Sequence, residues 1–311
     1  MTTAVADERM EHYEAIAAVL GKRARRDEPL ARHTSFRVGG PADLLIAPAD
    51  PDEVALALRL VRERGLPLLV LGAGSNLLVR DGGFRGVVVK VAKNFGGLSD
   101  AGEGRILARA GEPVAGLAFR AAERGLAGLE FAVGIPGTIG GGVWMNAGAH
   151  AGEVGSRVEW VAGIAADGTP ARLSHAELGF RYRAQNLPAG FAITEVLLAL
   201  SPDDPARVLA TTREYMADRR AKQPLNHPSA GCYFRNPPGG HAGQMIDRAG
   251  LKGLRIGGME VSRKHANFIV NVGGGTARDA LRLVEEVRAR VAKAHGVRID
   301  TEVMVVGEDP S

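Results

Sequence analysis

Cys232 is the only cysteine of the chain, and its surroundings suit proton donation. Residues 228–237 place it between glycine, aromatic side chains, an arginine and an asparagine. A thiol, with an ordinary pKa of about 8.5, gives up a proton readily. Read with the glycine-rich loops upstream and Glu302 near the end, this segment predicts a flavoenzyme that moves a hydride and then a proton onto a double bond. The alternative is a small buried cysteine that only packs, the commonest fate of a lone cysteine.

Length and composition predict a folded, water-soluble protein of two or three domains. The chain has 311 residues, 45% hydrophobic and 24% charged. Its longest apolar run, residues 66–73, is too short to cross a bilayer, and an acidic N-terminus argues against a signal peptide. A single cysteine agrees with a reducing compartment. We therefore expect a cytoplasmic protein that does not bind membranes.

The charge balance favours small anionic ligands. A net charge of +4 comes from scattered basic residues, mostly arginine, without a dense basic tract. Dinucleotides and nucleotide sugars fit this pattern better than nucleic acid. The eight histidines show no metal-binding spacing, so no metal is predicted.

The elements that must position these groups form two similar series in the first half of the chain. A helix is predicted over residues 8–20, and another after Asp50, which is a capping residue followed by a proline. Strands are predicted over residues 68–71 and 87–91. Pro113 then opens a helix that ends at Gly125, and a strand over residues 129–133 leads into a second glycine-rich loop. Two small α+β lobes are therefore expected.

The second half of the chain predicts two long helices and a final strand. The helices cover residues 206–222 and 276–295. The strand over residues 298–306 alternates, so that Asp300, Glu302 and Met304 share one side. Flanking apolar residues make Glu302 a candidate for burial, with a pKa raised by that burial.

Two glycine-rich loops predict a cradle for a pyrophosphate. Gly72 and Gly74 follow a strand, but Leu77 occupies the sixth fingerprint position and a short strand follows, so a Rossmann loop is excluded. The second loop, residues 134–142, continues to residues 146–148, and such backbone can approach a phosphate and present N–H groups to it. Either loop alone is more typical of a tight turn or a packing bend. The pair favours an FAD site without a Rossmann fold.

A resemblance to one family covers almost the whole chain beyond about residue 30. The chain resembles the UDP-N-acetylenolpyruvoylglucosamine reductases of peptidoglycan synthesis. The motifs that carry the resemblance, in family order, are Thr34-Ser35-Phe36-Arg37-Val38-Gly39-Gly40, the loop from Gly72 to Asn76, the loop from Gly134 to Gly141, Met145-Asn146-Ala147-Gly148-Ala149, Lys222-Gln223-Pro224, the Cys232 segment and Lys264-His265-Ala266.

The resemblance implies a fold and a division into domains. The fold class is α+β: a two-lobed FAD-binding module of the vanillyl-alcohol-oxidase type, followed by a C-terminal α+β substrate-binding domain. The first lobe would span residues 1–92, with residues 298–311 returning to it. The second lobe would span residues 93–202 and the substrate domain residues 203–297.

The resemblance also implies a reaction. NADPH reduces FAD and leaves, and UDP-N-acetylglucosamine enolpyruvate then takes its place. Hydride from flavin N5 adds at C3 and a proton at C2, giving UDP-N-acetylmuramate. Such an oxidoreductase of small molecules would serve cell-wall biogenesis, cell shape and cell division as a cytoplasmic protein, and we expect a monomer.

Three catalytic positions follow from the resemblance. Arg183 polarises the substrate carboxylate, Cys232 occupies the position where most members have the serine that protonates C2, and Glu302 stabilises the enol or relays a proton. A surface arginine and a solvated strand carboxylate are the alternatives for Arg183 and Glu302.

The resemblance also assigns binding residues. The cofactor-binding set is Arg37, Gly72, Ala73, Gly74, Ser75, Asn76, Gly134, Ile135, Pro136, Gly137, Thr138, Gly140, Gly141, Asn146, Ala147 and Gly148. The substrate-binding set is Tyr182, Lys222, Tyr233, Asn236, Lys252 and His265. Each long cation among these is by itself more typical of a solvated surface residue.

The spacing of the catalytic residues indicates a subclass. Only 49 positions separate Arg183 from Cys232, too few for the tyrosine-bearing insertion that closes over UDP in one subclass. The chain resembles the shorter class.

Two other functions compete with this one. A flavin oxidase of the same broad fold would pass electrons to oxygen, and His150 lies near the second loop, although no flavin attachment motif surrounds it. A silent nucleotide-sugar sensor would keep the pocket without turnover. The retention of Arg183 and Glu302 argues against the sensor.

Overall fold

A computed structural model describes residues 3–310, and it describes side chains from residue 8 onward. In this part of the chain the α-helices are α1 (Thr3–Leu20), α2 (Pro51–Glu63), α3 (Val114–Glu123), α4 (Ile139–Trp144), α5 (His175–Leu178), α6 (Pro205–Lys222), α7 (Ala242–Arg248) and α8 (Ala277–His295). None of these helices has the length and apolar character needed to span a membrane.

The β-strands of the same residues are short, and most of them have two to seven residues. They are β1 (Ala24–Pro29), β2 (Pro41–Ile46), β3 (Leu68–Leu71), β4 (Leu77–Val79), β5 (Phe84–Lys90), β6 (Leu98–Gly102), β7 (Arg105–Arg109), β8 (Leu126–Ala127), β9 (Gly148–Ala149), β10 (Gly152–Glu153), β11 (Val158–Ile164), β12 (Pro170–Ser174), β13 (Ala192–Ala199), β14 (Ser201–Pro202), β15 (Ser229–Cys232), β16 (Arg255–Ile256), β17 (Met259–Val261), β18 (Phe268–Asn271) and β19 (Met304–Val306).

The chain divides into two compact units, each assembled from separate segments. Unit 1 contains Met1–Glu28, Asp43–Ala73 and Gly86–Ala217, and unit 2 contains Pro29–Ala42, Gly74–Arg85 and Asp218–Ser311. The first predicted glycine loop is therefore shared, with Gly72 and Ala73 in unit 1 and the rest in unit 2. The three-domain division from the sequence stays a prediction.

Unit 1 is built on two larger sheets. It carries most of a four-stranded sheet of order β1-β2-β5-β3, in which β3 and β5 run parallel, and a five-stranded antiparallel sheet of order β12-β11-β13-β7-β6. Helix α2 begins as predicted, because the Asp50 carboxylate accepts a hydrogen bond from the Glu53 N–H at 2.8 Å and Pro51 opens the first turn. Its buried face, which includes Leu58 and Val61, joins one continuous apolar core.

Unit 2 is organised around α8 and an antiparallel sheet of order β15-β18-β17-β16. Thr276 caps the helix, and a second cap comes from the loop after β4. There Asp81 accepts the N–H groups of Ala277 and Arg278 at 2.8 and 2.9 Å. The apolar stripe of this helix, which includes Ala280, Val284, Val287 and Val291, is buried, and Gly296 ends the helix in a left-handed conformation. Strands β4 and β19 pair in parallel as a separate ribbon.

The structure corrects two predicted strands. Residues predicted as the strand 129–133 form a 3-10 helix, Glu130–Gly134, because the Ala132 N–H bonds back to the Leu129 carbonyl. Within the predicted strand 298–306, only Met304–Val306 pairs as a strand. Thr301 makes a single bridge with Phe234, so the pairing partner changes along this segment.

Candidate active site

A close approach between two loops of unit 1 marks the first part of the site. Gly72 follows β3, and a Cβ there would lie 2.8 Å from the Thr138 hydroxyl oxygen. That hydroxyl is buried and has no hydrogen-bond partner among the described residues. Buried polar groups are nearly always paired, so an orphan hydroxyl beside an obligatory glycine indicates a group bound from outside the chain.

The loop that contains Thr138 is held by backbone hydrogen bonds to a neighbouring segment. The N–H groups of Ile139 and Gly140 donate to the carbonyls of Glu112 and Ala110 at 2.8 and 2.9 Å. A Cβ on Gly140 would lie 3.0 Å from the Cβ of Ala110. These two N–H groups are therefore used inside the protein, and Gly140 is a packing glycine, whereas the sequence predicted that the loop presents its N–H groups to a phosphate.

Unit 2 contains a second glycine that packs against a threonine, here through the threonine backbone. Gly74 has a φ of +63°, and a Cβ there would lie 2.9 Å from the Cα of Thr34. The Thr34 hydroxyl is buried and has no partner within residues 3–310. The Ser35 N–H donates to the Gly74 carbonyl at 3.2 Å, which ties the two segments together. The predicted site residues omit Thr34, although it begins one of the quoted motifs.

The glycine and threonine pairs fit FAD, because each offers a buried hydroxyl beside backbone that only a glycine permits. The other predicted cofactor residues of unit 2 have different surroundings. The Arg37 side chain is exposed on a residue with a φ of +57°. The Asn76 amide donates to the Glu302 carbonyl at 3.2 Å, and the Asn76 carbonyl accepts the Met304 N–H at 3.1 Å.

Arg183 lies in a tight turn of unit 1. Arg181 and Ala184 exchange backbone hydrogen bonds of 2.9 and 3.0 Å, and Arg183 has a φ of +55°. Such a φ is strained for a residue with a long side chain, and strain of this kind concentrates at functional sites. The guanidinium donates to the carbonyls of Asn146 and Gly148 at 3.3 and 3.2 Å. The predicted catalytic arginine is thus held by the predicted cofactor segment 146–148.

Cys232 and Glu302 belong to unit 2, where their backbone segments pair. Cys232 ends β15, opposite Phe268 of β18, and it is half-buried. The Glu302 N–H donates to the Tyr233 carbonyl at 2.8 Å. Glu302 is half-buried and Met304 is exposed, so the predicted burial of Glu302 beside Met304 is corrected.

Asn267 fixes the path of the chain after Cys232. Its carbonyl accepts the Tyr233 N–H at 2.7 Å, and its buried side chain exchanges hydrogen bonds of 2.9 and 2.8 Å with the backbone of Phe234. An asparagine side chain thereby replaces a strand partner. The sequence analysis missed Asn267, because the residues adjacent to it in sequence do not indicate a long-range backbone contact.

Arg219 of α6 is a second residue that the sequence did not single out. Burial lowers the pKa of its guanidinium, while a negative charge on Cys232 would act in the opposite direction. The arginine is therefore near enough to Cys232 for an electrostatic interaction. A cation in this position stabilises the charge that remains after the thiol has lost its proton.

The predicted substrate-binding cations are paired with carboxylates of unit 2. Lys222 lies 2.5 Å from Asp218 and Lys252 lies 2.6 Å from Asp247. Burial lowers the pKa of His265, and the charge of Lys252 lowers it further, so both favour the neutral ring.

The other three predicted substrate residues differ in accessibility. Asn236 accepts the Ala242 N–H at 3.1 Å, and Tyr182 is exposed with the Arg183 guanidinium 5.0 Å from its ring centre. Tyr233 is fully buried.

Comparison with known proteins first defines the class. Residues 42–174 match the family model described as "FAD binding domain", and residues 223–306 match "UDP-N-acetylenolpyruvoylglucosamine reductase, C-terminal domain". The chain is therefore an FAD-binding oxidoreductase, and the predicted α+β class and FAD cofactor are confirmed.

Relatives over the whole length then define the family. The chain is 48% identical to UDP-N-acetylenolpyruvoylglucosamine reductase 2 of Symbiobacterium thermophilum, over 93% of this chain and 94% of the relative. It is also 48% identical to the reductase of Rubrobacter xylanophilus, over 92% and 96%. The crystal structure of the Thermus caldophilus enzyme (MurB) superposes with a TM-score of 0.79 at 38% identity, covering 91% of this chain and 98% of that one. The chain belongs to the UDP-N-acetylenolpyruvoylglucosamine reductase family, as its motifs predicted.

Proposed function

We propose that this protein reduces UDP-N-acetylglucosamine enolpyruvate to UDP-N-acetylmuramate with NADPH as the reductant, in peptidoglycan precursor synthesis. The observation that carries the proposal is 48% identity to named reductases over more than nine tenths of both chains. The glycine and threonine pairs and the strained Arg183 turn are the local features that support it.

The residues that would hold FAD are those with orphan hydroxyls and obligatory glycines. Thr138 beside Gly72, and Thr34 beside Gly74, each offer a buried hydroxyl for a hydrogen bond to the cofactor. When bound and reduced by NADPH, FAD supplies the hydride that adds to C3 of the enolpyruvyl group.

Arg183 binds the carboxylate of the enolpyruvyl group. Negative charge from hydride addition at C3 collects at C2 and spreads into this carboxylate, so a fixed cation there lowers the barrier. Hydrogen bonds to the Asn146 and Gly148 carbonyls hold the guanidinium in place before the substrate arrives. A cation fixed in advance costs no reorganisation during the reaction.

Cys232 gives its proton to C2. Cys232 is half-buried and not sealed in the core, and the nearby Arg219 cation stabilises the thiolate that remains. Glu302, held by its backbone to Tyr233 beside Cys232, stabilises the enol or returns the proton to the sulfur. Lys222, Lys252, Asn236 and His265 are the candidates for binding the rest of the substrate.

We place the reaction in the cytoplasm and the protein in a monomeric state. NADPH and nucleotide sugars are cytoplasmic metabolites, and the product is needed for cell-wall growth, cell shape and division. Size-exclusion chromatography with light scattering tests the oligomeric state.

One spectroscopic cycle tests the function. The purified protein is expected to be yellow, to bleach on anaerobic addition of NADPH, and to regain its colour on addition of UDP-N-acetylglucosamine enolpyruvate. UDP-N-acetylglucosamine, which lacks the double bond, is the matched control and leaves the protein bleached. Recolouring by oxygen alone, faster than by the enolpyruvyl sugar, would identify an oxidase instead. No response to NADPH would leave only a binding protein.

A further inference from the structure

Asn146 occupies a buried and fully hydrogen-bonded position beneath Arg183. It is 1% exposed. Its amide nitrogen donates to the Glu153 carboxylate and to the Arg181 carbonyl, both at 2.9 Å, and its amide oxygen accepts the Gly155 N–H at 2.9 Å. Two acceptors face the NH₂ group and one donor faces the oxygen, so the partners fix the orientation of the amide.

The backbone around Asn146 is shaped to admit this amide. A Cβ on Gly155 would lie 2.7 Å from the Asn146 oxygen and 2.5 Å from the Phe180 ring. Asn146 itself has a φ of +39°, which asparagine tolerates better than most residues. Any larger group at position 155 would displace the amide.

The same segment receives the Arg183 guanidinium. The carbonyls of Asn146 and Gly148 accept its two Nη donors at 3.3 and 3.2 Å. A Cβ on Gly148 would lie 3.2 Å from the nearer Nη atom and 2.5 Å from the Gly152 carbonyl oxygen. Gly148 therefore lets both the Gly152 carbonyl and the guanidinium approach the backbone.

Two kinds of contact thus join residue 146 to the arginine turn. The side chain holds the backbone of Arg181, two positions before Arg183, and the main chain holds the guanidinium directly. We propose that Asn146 is a positioning residue that sets where Arg183 meets the substrate carboxylate, and not a residue that binds the cofactor. The inference rests on the proposed function, in which Arg183 contacts that carboxylate.

The experiment uses two variants of the FAD-loaded protein and one matched control. Asn146→Asp keeps the shape but removes both donors, and Asn146→Gly removes the side chain while suiting the positive φ. Asn186→Asp makes the same chemical change three residues after Arg183, on the loop that carries the arginine. There the exposed side-chain oxygen of Asn186 accepts from Arg181 at 2.9 Å, and an aspartate keeps that acceptor.

Three quantities are measured for each protein: FAD bound per chain, the rate of bleaching by NADPH, and the single-turnover rate of recolouring at low enolpyruvyl sugar. Both Asn146 variants should keep the first two within about twofold and slow recolouring about 10- to 100-fold, because small misplacements of a binding group carry costs of that size. The control should stay within about twofold. FAD loss with normal recolouring of the loaded fraction would overturn the inference.

A double-mutant cycle separates positioning from general damage. In an Arg183→Ala background, Asn146→Asp should slow recolouring by less than about threefold, because the arginine through which it acts is gone. An unchanged factor in that background would contradict the proposal. Crystal structures of the Asn146→Gly variant and the control add a readout independent of turnover. The guanidinium should leave the Gly148 carbonyl only in the Asn146 variant, and an unmoved guanidinium would contradict the proposal even if the wild type lacked reductase activity.

Discussion

Tyr233→Phe is expected to stabilise the protein, because it removes a hydroxyl that pairs with none of the described residues. Tyr233 is fully buried, its ring packs against Phe36 and Phe234, and its hydroxyl makes no hydrogen bond to the described residues. Leaving a buried polar group unsatisfied costs about 1–3 kcal/mol. The variant keeps the ring and its packing, so we expect a gain of about 1 kcal/mol or more in the free energy of unfolding.

Tyr13→Phe is the matched control with the opposite sign. Tyr13 is also buried, but its hydroxyl donates to the Asp43 carboxylate at 3.0 Å. Removing that donor should cost about 1–3 kcal/mol, since the hydroxyl is buried and its half-buried acceptor is a charged group. Urea denaturation followed by circular dichroism measures both variants against the wild type.

The pH dependence gives a second measurement of the same hydroxyl. Burial raises the pKa of Tyr233 well above its ordinary value of about 10. The unfolded chain ionises this phenol near pH 10 while the folded chain keeps the proton, so its contribution is complete below pH 10 and is lost as the pH rises. By pH 11 the loss is about 1.4 kcal/mol. The advantage of Tyr233→Phe over the wild type should therefore grow by this amount between pH 8 and pH 11.

The sign of the change decides between two readings of Tyr233. A destabilised Tyr233→Phe variant would show that the hydroxyl has a partner, such as bound water. A raised KM for the enolpyruvyl sugar would support the predicted substrate contact. Thr138 also has an orphan hydroxyl, but it faces Gly72 and a loop, whereas Tyr233 lies among aromatic rings. Dry burial is accordingly expected for Tyr233 alone.

Three further predictions address the acid, the cofactor cradle and a helix cap. Cys232→Ala should still bleach with NADPH but recolour about 10²- to 10⁴-fold more slowly in stopped-flow absorbance, while Cys232→Ser keeps much of the rate. Normal recolouring of the alanine variant would remove Cys232 from the mechanism. Gly72→Ala should weaken FAD at least about tenfold in a fluorescence titration, because the new methyl meets Thr138. Gly116→Ala is the control, because its methyl has ordinary contacts, and it should leave FAD affinity unchanged. Equal losses of affinity in the two variants would contradict the role of Gly72 in FAD binding. Asp81→Ala should lower the unfolding free energy by about 1–2 kcal/mol through loss of two N–H partners at the start of α8, and an unchanged urea midpoint would contradict this.

The sequence predicted best those parts of the fold that depend on local signals. The Asp50 cap and Pro51 set the start of α2, and the strand over residues 68–71 has the predicted limits. The rejection of a Rossmann loop is confirmed, because Leu77–Val79 is a strand and not the first turn of a helix. Each of these depends on a few adjacent residues, and so it can be read without the rest of the chain.

The segments that were wrong depend on distant partners. An apolar run such as residues 129–133 suits a buried strand or a buried helical turn equally, and only its surroundings decide. The alternation of residues 298–306 does bury Ile299 and Val303, but pairing passes from Phe234 to β4 along the way. The alternation of apolar and polar residues alone cannot show that a strand is interrupted by a change of pairing partner.

The site shows the same limit at the level of single side chains. A segment such as 146–148, following a glycine loop, resembles a cofactor contact, and the motif does not tell which way Asn146 points. Its partners at Glu153, Gly155 and Arg181 become neighbours only after folding. The hydroxyls of Thr34 and Thr138 could not be identified from the sequence for a related reason. A hydroxyl can be recognised as unpaired only when the positions of all its possible partners are known.

Tyr233 links the positions of the two proposed catalytic groups of unit 2, the Cys232 thiol and the Glu302 carboxylate. Tyr233 follows Cys232 directly, its N–H donates to the Asn267 carbonyl, and its own carbonyl accepts the Glu302 N–H. The buried ring anchors this stretch of backbone in the core of unit 2. Cys232 and Glu302 are therefore positioned by the packing of a neighbour that needs no part in the chemistry. Loss of the Tyr233 ring would displace both groups together, whereas loss of its hydroxyl alone would leave both in place.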